Sequence, residues 1–174
     1  MIDKLELYGV RGTSLQWFKS YLTNRKQYVC VNNAVNSKIN EIICGVPQGS
    51  ILGLLLFLIC INDIVTISPI LNMILIADDT YLFLYLGKIL TETVTTLNQE
   101  LCKLSNWFAV NKFSLNVKKT NYSTFRKKNK KNGKIPEIVS DNCKINSVTS
   151  SKFLGVIINE NLTWTDHTET IKKK

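Results

Sequence analysis

The stretch L-N-M-I-L-I-A-D-D-T-Y, Leu71 to Tyr81, places two adjacent carboxylates at the end of an apolar run. Side chains alternate between faces along a β-strand, so Asp78 and Asp79 cannot both point into one core. Burying either charge unpaired is expensive, and burying two is worse. Met73–Ala77 and Thr80–Leu86 are both rich in β-forming residues. The simplest geometry is a tight hairpin with both aspartates in its turn, where Asp tolerates unusual backbone angles. The carboxylates then stand at the tip of an apolar stem.

Working outward, Thr13-Ser14-Leu15-Gln16 fits a capping box, and Leu15, Phe18 and Leu22 are spaced to line one face of a short helix. Gln27–Val31 and Ile39–Cys44 read as two strands joined by a polar stretch. G-V-P-Q-G-S-I-L-G, Gly45 to Gly53, is punctuated by glycine and proline and predicts an irregular loop. It feeds an apolar helix from about Ile51 to Ile64. Beyond the hairpin, Val94, Leu97, Leu101, Leu104 and Phe108 recur at spacings of three and four, which predicts a long amphipathic helix. Asn121–Phe125, Val139–Val148 and Phe153–Ile158 read as strands, Lys127–Gly133 as an exposed basic turn, and Asp166 as the cap of a last helix. There is no internal repeat and no low-complexity linker, so the parts read as one α/β unit.

The chain has 174 residues, 45% of them hydrophobic, and a formal charge of +9. Between Leu101 and Pro136 there are ten Lys or Arg residues and no acidic one, so that segment carries the whole excess. A single-signed basic stretch suits an anionic partner, nucleic acid or an anionic membrane surface, although a run such as Arg126-Lys127-Lys128 also suits a plain solvated loop. Five cysteines without a C-x-x-C pair, and His167 as the one histidine, exclude an ordinary zinc finger and argue against a disulfide framework. The N-terminus is too polar for a secretory signal. The longest apolar run, Ile51–Ile61, falls well short of the roughly 20 residues of a membrane span, so it reads as a buried core helix. The location expected is intracellular, cytoplasmic or nuclear, with no membrane partner.

A carboxylate pair at a hairpin tip, with a Gly-rich loop and a basic segment elsewhere, suits a divalent ion handling phosphates, because hard cations take carboxylate and phosphate oxygens. The order of the motifs narrows this further. G-V-P-Q-G-S-I-L-G, then L-L-F-L-I-C-I-N-D-I, then A-D-D-T resembles a reverse transcriptase palm, of the non-LTR, jockey-like retrotransposon kind. Y-G-V-R-G-T at Tyr8, W-F-K-S-Y-L-T-N-R-K-Q at Trp17, S-L-N-V-K-K-T at Ser114 and K-F-L-G-V-I-I-N-E-N-L-T-W-T-D-H at Lys152 match in the same order.

The resemblance implies an α/β (α+β) fold: a partial polymerase palm, residues 1–126, and residues 127–174 as the end of the palm and the start of a thumb. It implies an antiparallel sheet with a catalytic hairpin packed on helices. Asp78 matches the principal metal ligand and Asp79 the second carboxylate, for two Mg²⁺ ions in a complete enzyme. Gly45, Pro47, Gln48 and Gly49 match the loop that lies against the incoming nucleotide and template base, where glycine lets backbone approach closely. Lys119 matches a basic residue that neutralises or protonates the leaving pyrophosphate, with phosphate screening as the equal alternative. Phe153, Leu154 and Gly155 match the primer grip, and are as readily explained as core packing. Lys118, Arg126, Lys127, Lys128, Lys130 and Lys131 are the expected nucleic-acid contacts. RNA template, DNA primer and deoxynucleoside triphosphates are the implied partners.

Leu54 stands where that family usually has proline, and Ile76 where an aromatic precedes Ala-Asp-Asp. The family's first catalytic aspartate, on a strand before the region matching Tyr8, has no counterpart in the sequence, and neither do the fingers. The expectation is a polymerase fragment inactive alone, with a non-catalytic nucleic-acid-binding remnant of a degraded mobile element as the alternative.

Overall fold

The computed structural model describes all residues except 33, 36, 48, 86–89, 126–135, 142 and 174, and the side chains of 34 and 35. It divides into two compact units: Met1–Thr66 with Leu75–Thr80, and Ile67–Ile74 with Tyr81–Lys174. Each mixes helices with two-stranded sheets.

The first unit opens with α1 (Ile2–Leu7) and α2 (Gly12–Leu22). The expected capping box does not form. The helix begins two residues early, at Gly12 with its left-handed φ of 61°, and Arg11 at the N-cap makes no side-chain cap bond. The two strands expected next are broken into β1 (Lys26–Gln27), β2 (Cys30–Val31), β3 (Ala34–Val35) and β4 (Asn40–Glu41), an outer pair β1–β4 and an inner pair β2–β3, both antiparallel. The interruption falls at Tyr28-Val29, where the Val29 amide donates to Ser37 Oγ instead of a strand partner (2.7 Å).

Helix α3 (Ile51–Ile61) runs on into a 3-10 turn at Asn62–Thr66. Lys4 of α1 donates to the carbonyl of Cys60 (2.6 Å) and to Asp63 Oδ1 (2.8 Å), and so sets a cation where a helix end is negative. Leu5, Leu56, Ile61 and Ile64 form the buried core of this unit. The helix is not the wholly buried element its composition suggests. Gly53, Leu56 and Ile61 are buried, whereas Ile51 is 94% and Leu54 62% exposed. An all-apolar sequence cannot reveal which of its faces is covered.

A hairpin follows, β5 (Asn72–Ile76) and β6 (Asp79–Phe83), joined through Ala77 and Asp78. In the second unit α4 (Leu90–Val110) buries Val94, Leu101, Leu104 and Trp107, while Leu97 and Phe108 of the expected stripe are half-buried. Each such side chain contributes about 1.5–3 kcal/mol when fully buried. Asn98 of this helix accepts from the Val139 amide (3.0 Å) and donates to the Glu137 carbonyl (3.1 Å), and so serves an edge strand as a backbone partner would. That strand, β8 (Val139–Ser140), pairs with β9 (Cys143–Lys144). β7 (Asn121–Tyr122) pairs in parallel with β10 (Asn146–Ser147). The single strand expected over Val139–Val148 is thus three, turned at Asp141, whose φ is 49°. β11 (Ser150–Phe153) and β12 (Val156–Asn159) form a second two-residue hairpin, against which α5 (Thr165–Lys172) packs. Asp166 lies in the first turn of α5, not at its cap.

Candidate functional site

The β5–β6 connection has only two residues, which fixes the strands as antiparallel. Asp78 sits in the turn and Asp79 is the first residue of β6, so the two are not both in the turn as expected. Ala77, not an aspartate, takes the left-handed angle (φ 51°). Both carboxylates are exposed, and neither makes a hydrogen bond or ion pair with any described residue. Their oxygens are hard donors of the kind a magnesium-like dication takes, in ones and twos, alongside water and phosphate. Among the described residues no third acid, His or Cys joins them in a metal-binding group. The pair therefore fits part of a dication's coordination shell, with the remainder left to substrate.

The loop Gly45–Gly53 lies in the same unit. Gly45 (φ 87°) and Gly49 (φ 78°) have no atom within 4 Å of where a side chain would begin. The backbone angle is what requires glycine there, and open space lies beside both. Ser50 ends the loop and caps α3: its Oγ accepts from the Gly53 amide (3.0 Å), donates to the Pro47 carbonyl (2.8 Å) and accepts from Tyr21 OH (3.2 Å). Gly53 is buried at that junction; a Cβ would stand 2.8 Å from Ser50 Oγ and 2.9 Å from the Pro47 carbonyl oxygen. Val46, Pro47, Gly49, Ser50 and Leu54 line an open hollow of about 500 Å³. Arg25 Nη2 donates to the carbonyl of Gly45 (2.6 Å). Ser50 and Gly53 are structural residues that the motif reading passed over. Ser50, directly before an apolar helical run, was legible as a cap; Arg25, twenty residues from its partner, offered no local signal.

In the second unit, Lys118 and Lys119 are exposed in a turn where the Lys119 amide donates to the Asn116 carbonyl (3.0 Å). In the β11–β12 hairpin, Leu154 (φ 48°) and Gly155 (φ 86°) both have positive φ, the pattern of a type I′ turn. Phe153 packs edge-on against Tyr81, ring centres 4.6 Å apart, and is part of the packing. Leu154 is not: it is 64% exposed at the tip. Gln48, Arg126, Lys127, Lys128, Lys130 and Lys131 lie outside the described residues.

The profile of the family described as reverse transcriptase (RNA-dependent DNA polymerase) matches residues 2–158. The chain belongs to the reverse transcriptase family. It is 29% identical over 162 residues to the RNA-directed DNA polymerase from mobile element jockey of Drosophila melanogaster, an alignment that covers 89% of this chain and 17% of that protein. It is 25% identical over 160 residues to the probable RNA-directed DNA polymerase from transposon X-element of the same organism, covering 90% of this chain and 17% of that one. The chain thus spans about one sixth of the length of these reverse transcriptases. The resemblance drawn from the motifs is borne out. No solved structure matches it. Enzymes of the reverse transcriptase family use divalent metal ions, a nucleic-acid template and nucleotide substrates. Among the described residues, no helix is long and apolar enough to cross a membrane.

Proposed function

We propose that this chain is a palm segment of an RNA-directed DNA polymerase of jockey-like mobile elements, with residues 1–126 as palm and 127–174 as its end and the start of a thumb. One observation carries the reading: Asp78 in a strained two-residue turn and Asp79 directly after it are exposed with no side-chain partner among the described residues, in a chain of this family. Two like charges side by side repel each other and make no stabilising contact with the described residues, so their use lies in what they bind.

In this reading Asp78 and Asp79 hold Mg²⁺, which when bound supplies charge stabilisation at the attacking and leaving oxygens of nucleotidyl transfer. The Gly45–Gly49 loop, with Pro47 and Gln48, offers backbone and small side chains to the nascent base pair. Lys119 screens or protonates the departing pyrophosphate. Leu154, on the Phe153–Gly155 tip, gives the primer end an apolar rest. Lys118 and the basic run Arg126–Lys131 bind phosphates of RNA template and DNA primer. Because two carboxylates are a partial ligand set, the chain by itself holds Mg²⁺ weakly and extends no primer.

The test is a thermal melt of the chain with and without Mn²⁺ or Mg²⁺. Asp78→Asn is expected to melt at the same temperature or slightly higher without metal, and to lose the rise in Tm that metal gives the unmodified chain by binding the folded state. A large loss of stability in Asp78→Asn without metal would make the carboxylate a structural group and remove the support for a metal role.

A further inference from the structure

Gly45 and Gly49 give the nucleotide-facing loop two pivots, each at a backbone angle that glycine adopts without strain. A loop with two such pivots holds one shape only if something outside it fixes both ends. The Ser50 end is fixed by Tyr21, whose ring stacks on Trp17 (centres 5.5 Å apart, planes 6° from parallel) and whose hydroxyl donates to Ser50 Oγ. The Gly45 end is fixed by Arg25. Its main-chain carbonyl accepts from the Ile42 amide (2.8 Å) and its Nη2 donates to the Gly45 carbonyl (2.6 Å), so one residue grips the segment at two points three residues apart. The other guanidinium donors, Nε and Nη1, are buried with no partner among the described residues. An unsatisfied buried donor costs stability, more so on a charged group. Arg25 is therefore poorly explained as a device for stability alone.

We infer that Arg25, with Tyr21 as the second post, is the positioning residue that holds the Gly45–Gly49 loop in its nucleotide-receiving shape. This rests on the loop role proposed above; both residues lie in the W-F-K-S-Y-L-T-N-R-K-Q stretch, outside the Gly45–Gly53 motif itself. Arg25 touches no reacting atom; it acts through the Gly45 carbonyl.

Amide hydrogen exchange on the whole chain, read by mass spectrometry, tests it. Arg25→Ala is expected to speed exchange of the Ser50 amide, which donates to the Pro47 carbonyl (3.3 Å) within the Gly45–Ser50 peptide, by about tenfold, the equivalent of one lost hydrogen bond of about 1.4 kcal/mol. Exchange within α3 from Leu56 to Ile61 should stay as it was. Arg25→Lys, which can still donate to the Gly45 carbonyl, should recover most of the protection, and Tyr21→Phe should loosen the Ser50 end only. Unchanged exchange in Arg25→Ala, an acceleration spread equally through α3, or no recovery in Arg25→Lys would each overturn the inference. A second arm adds a primer–template with its matched deoxynucleoside triphosphate. The unmodified chain should gain protection over Gly45–Ser50, and Arg25→Ala should bind the primer–template equally well without that gain; an equal gain in Arg25→Ala would overturn the inference. Lack of any gain in the unmodified chain would instead count against the nucleotide role of the loop, leaving the anchoring to be judged by the first arm.

Discussion

Alanine is an odd residue to find at a left-handed backbone angle, yet Ala77 takes one, directly before the aspartate pair. The conformation costs an L-residue about 1–2 kcal/mol, and glycine would relieve that while adding about 0.4–1 kcal/mol of unfolded-chain entropy to be lost. Ala77→Gly is therefore expected to stabilise the chain by about 0.5–1 kcal/mol, a rise of roughly 2 °C in Tm by calorimetry. A fall would mean that the Ala77 methyl makes a contact worth more than the strain. Gly53 has the opposite sign. Inside an exposed helix, alanine would gain about 1 kcal/mol over glycine. Here its Cβ would meet the Pro47 carbonyl oxygen and a Ser50 Oγ already committed to three hydrogen bonds. Overpacking of that kind costs about 1–3 kcal/mol, so Gly53→Ala is expected to lower the unfolding free energy measured in denaturant. A neutral result would mean that the loop moves aside freely. The sequence made the exposure of Asp78 and Asp79 legible, because two neighbouring charges on a strand leave few alternatives. It placed the turn one residue late, because the rule that hands unusual angles to Asp gave no reason to expect Ala77 there.

Elements with a strong period were read well and those without one were not. Helix α4 follows from Val94, Leu101 and Leu104 at helical spacing. The strands over Gln27–Val31 and Val139–Val148 came out as shorter pieces, because side-chain acceptors such as Ser37 Oγ and left-handed residues such as Asp141 interrupt ladders that β-propensity alone would continue. The β11–β12 hairpin shows how an element can be built against its own turn chemistry. A type I′ turn favours Asn-Gly, and the chain has Leu154-Gly155, with the leucine exposed. Leu154→Asn is expected to raise stability by about 0.5–1 kcal/mol, since Asn accepts the angle more readily and no core contact is lost. If the tip rests a primer end, the same change should weaken primer–template binding. Equal binding with the higher Tm would leave Leu154 without that role.

At the scale of the whole chain, its division into two units was not legible, since it depends on which contacts are dense rather than on any break in composition. The candidate site was half legible. Motif order pointed to the loop, the aspartates and the Leu154 tip, but the bond from Arg25 to Gly45 exists only once the chain has folded. The second unit also carries a pH dependence. Glu100 of α4 is buried, and hydrogen bonds from Lys103 (2.6 Å) and then Ser68 hold its carboxyl below the ordinary value of 4.5, with burial opposing them. A carboxyl whose folded pKa is depressed contributes stability that is present above its unfolded pKa and lost as pH falls through the folded one. Glu100→Gln is therefore expected to be less stable than the unmodified chain near pH 7, with the gap closing as acid is added below about pH 4.5. Denaturant melts at a series of pH values would read this directly. A gap independent of pH would place the effect of Gln in packing rather than charge.

The contact of Gly53 with Pro47 and Ser50 also has a genetic consequence. Every single-base change in a glycine codon that alters its meaning yields either a stop or a residue with a Cβ, so no neutral one-step replacement exists for a position where a Cβ meets backbone oxygen at 2.9 Å. Gene copies under selection for a working loop are then expected to be invariant there, whereas the apolar residues of α3 drift among one another. Copies released from selection should show their release at codon 53 early, which makes that codon a marker for sorting live copies of the gene from decayed ones.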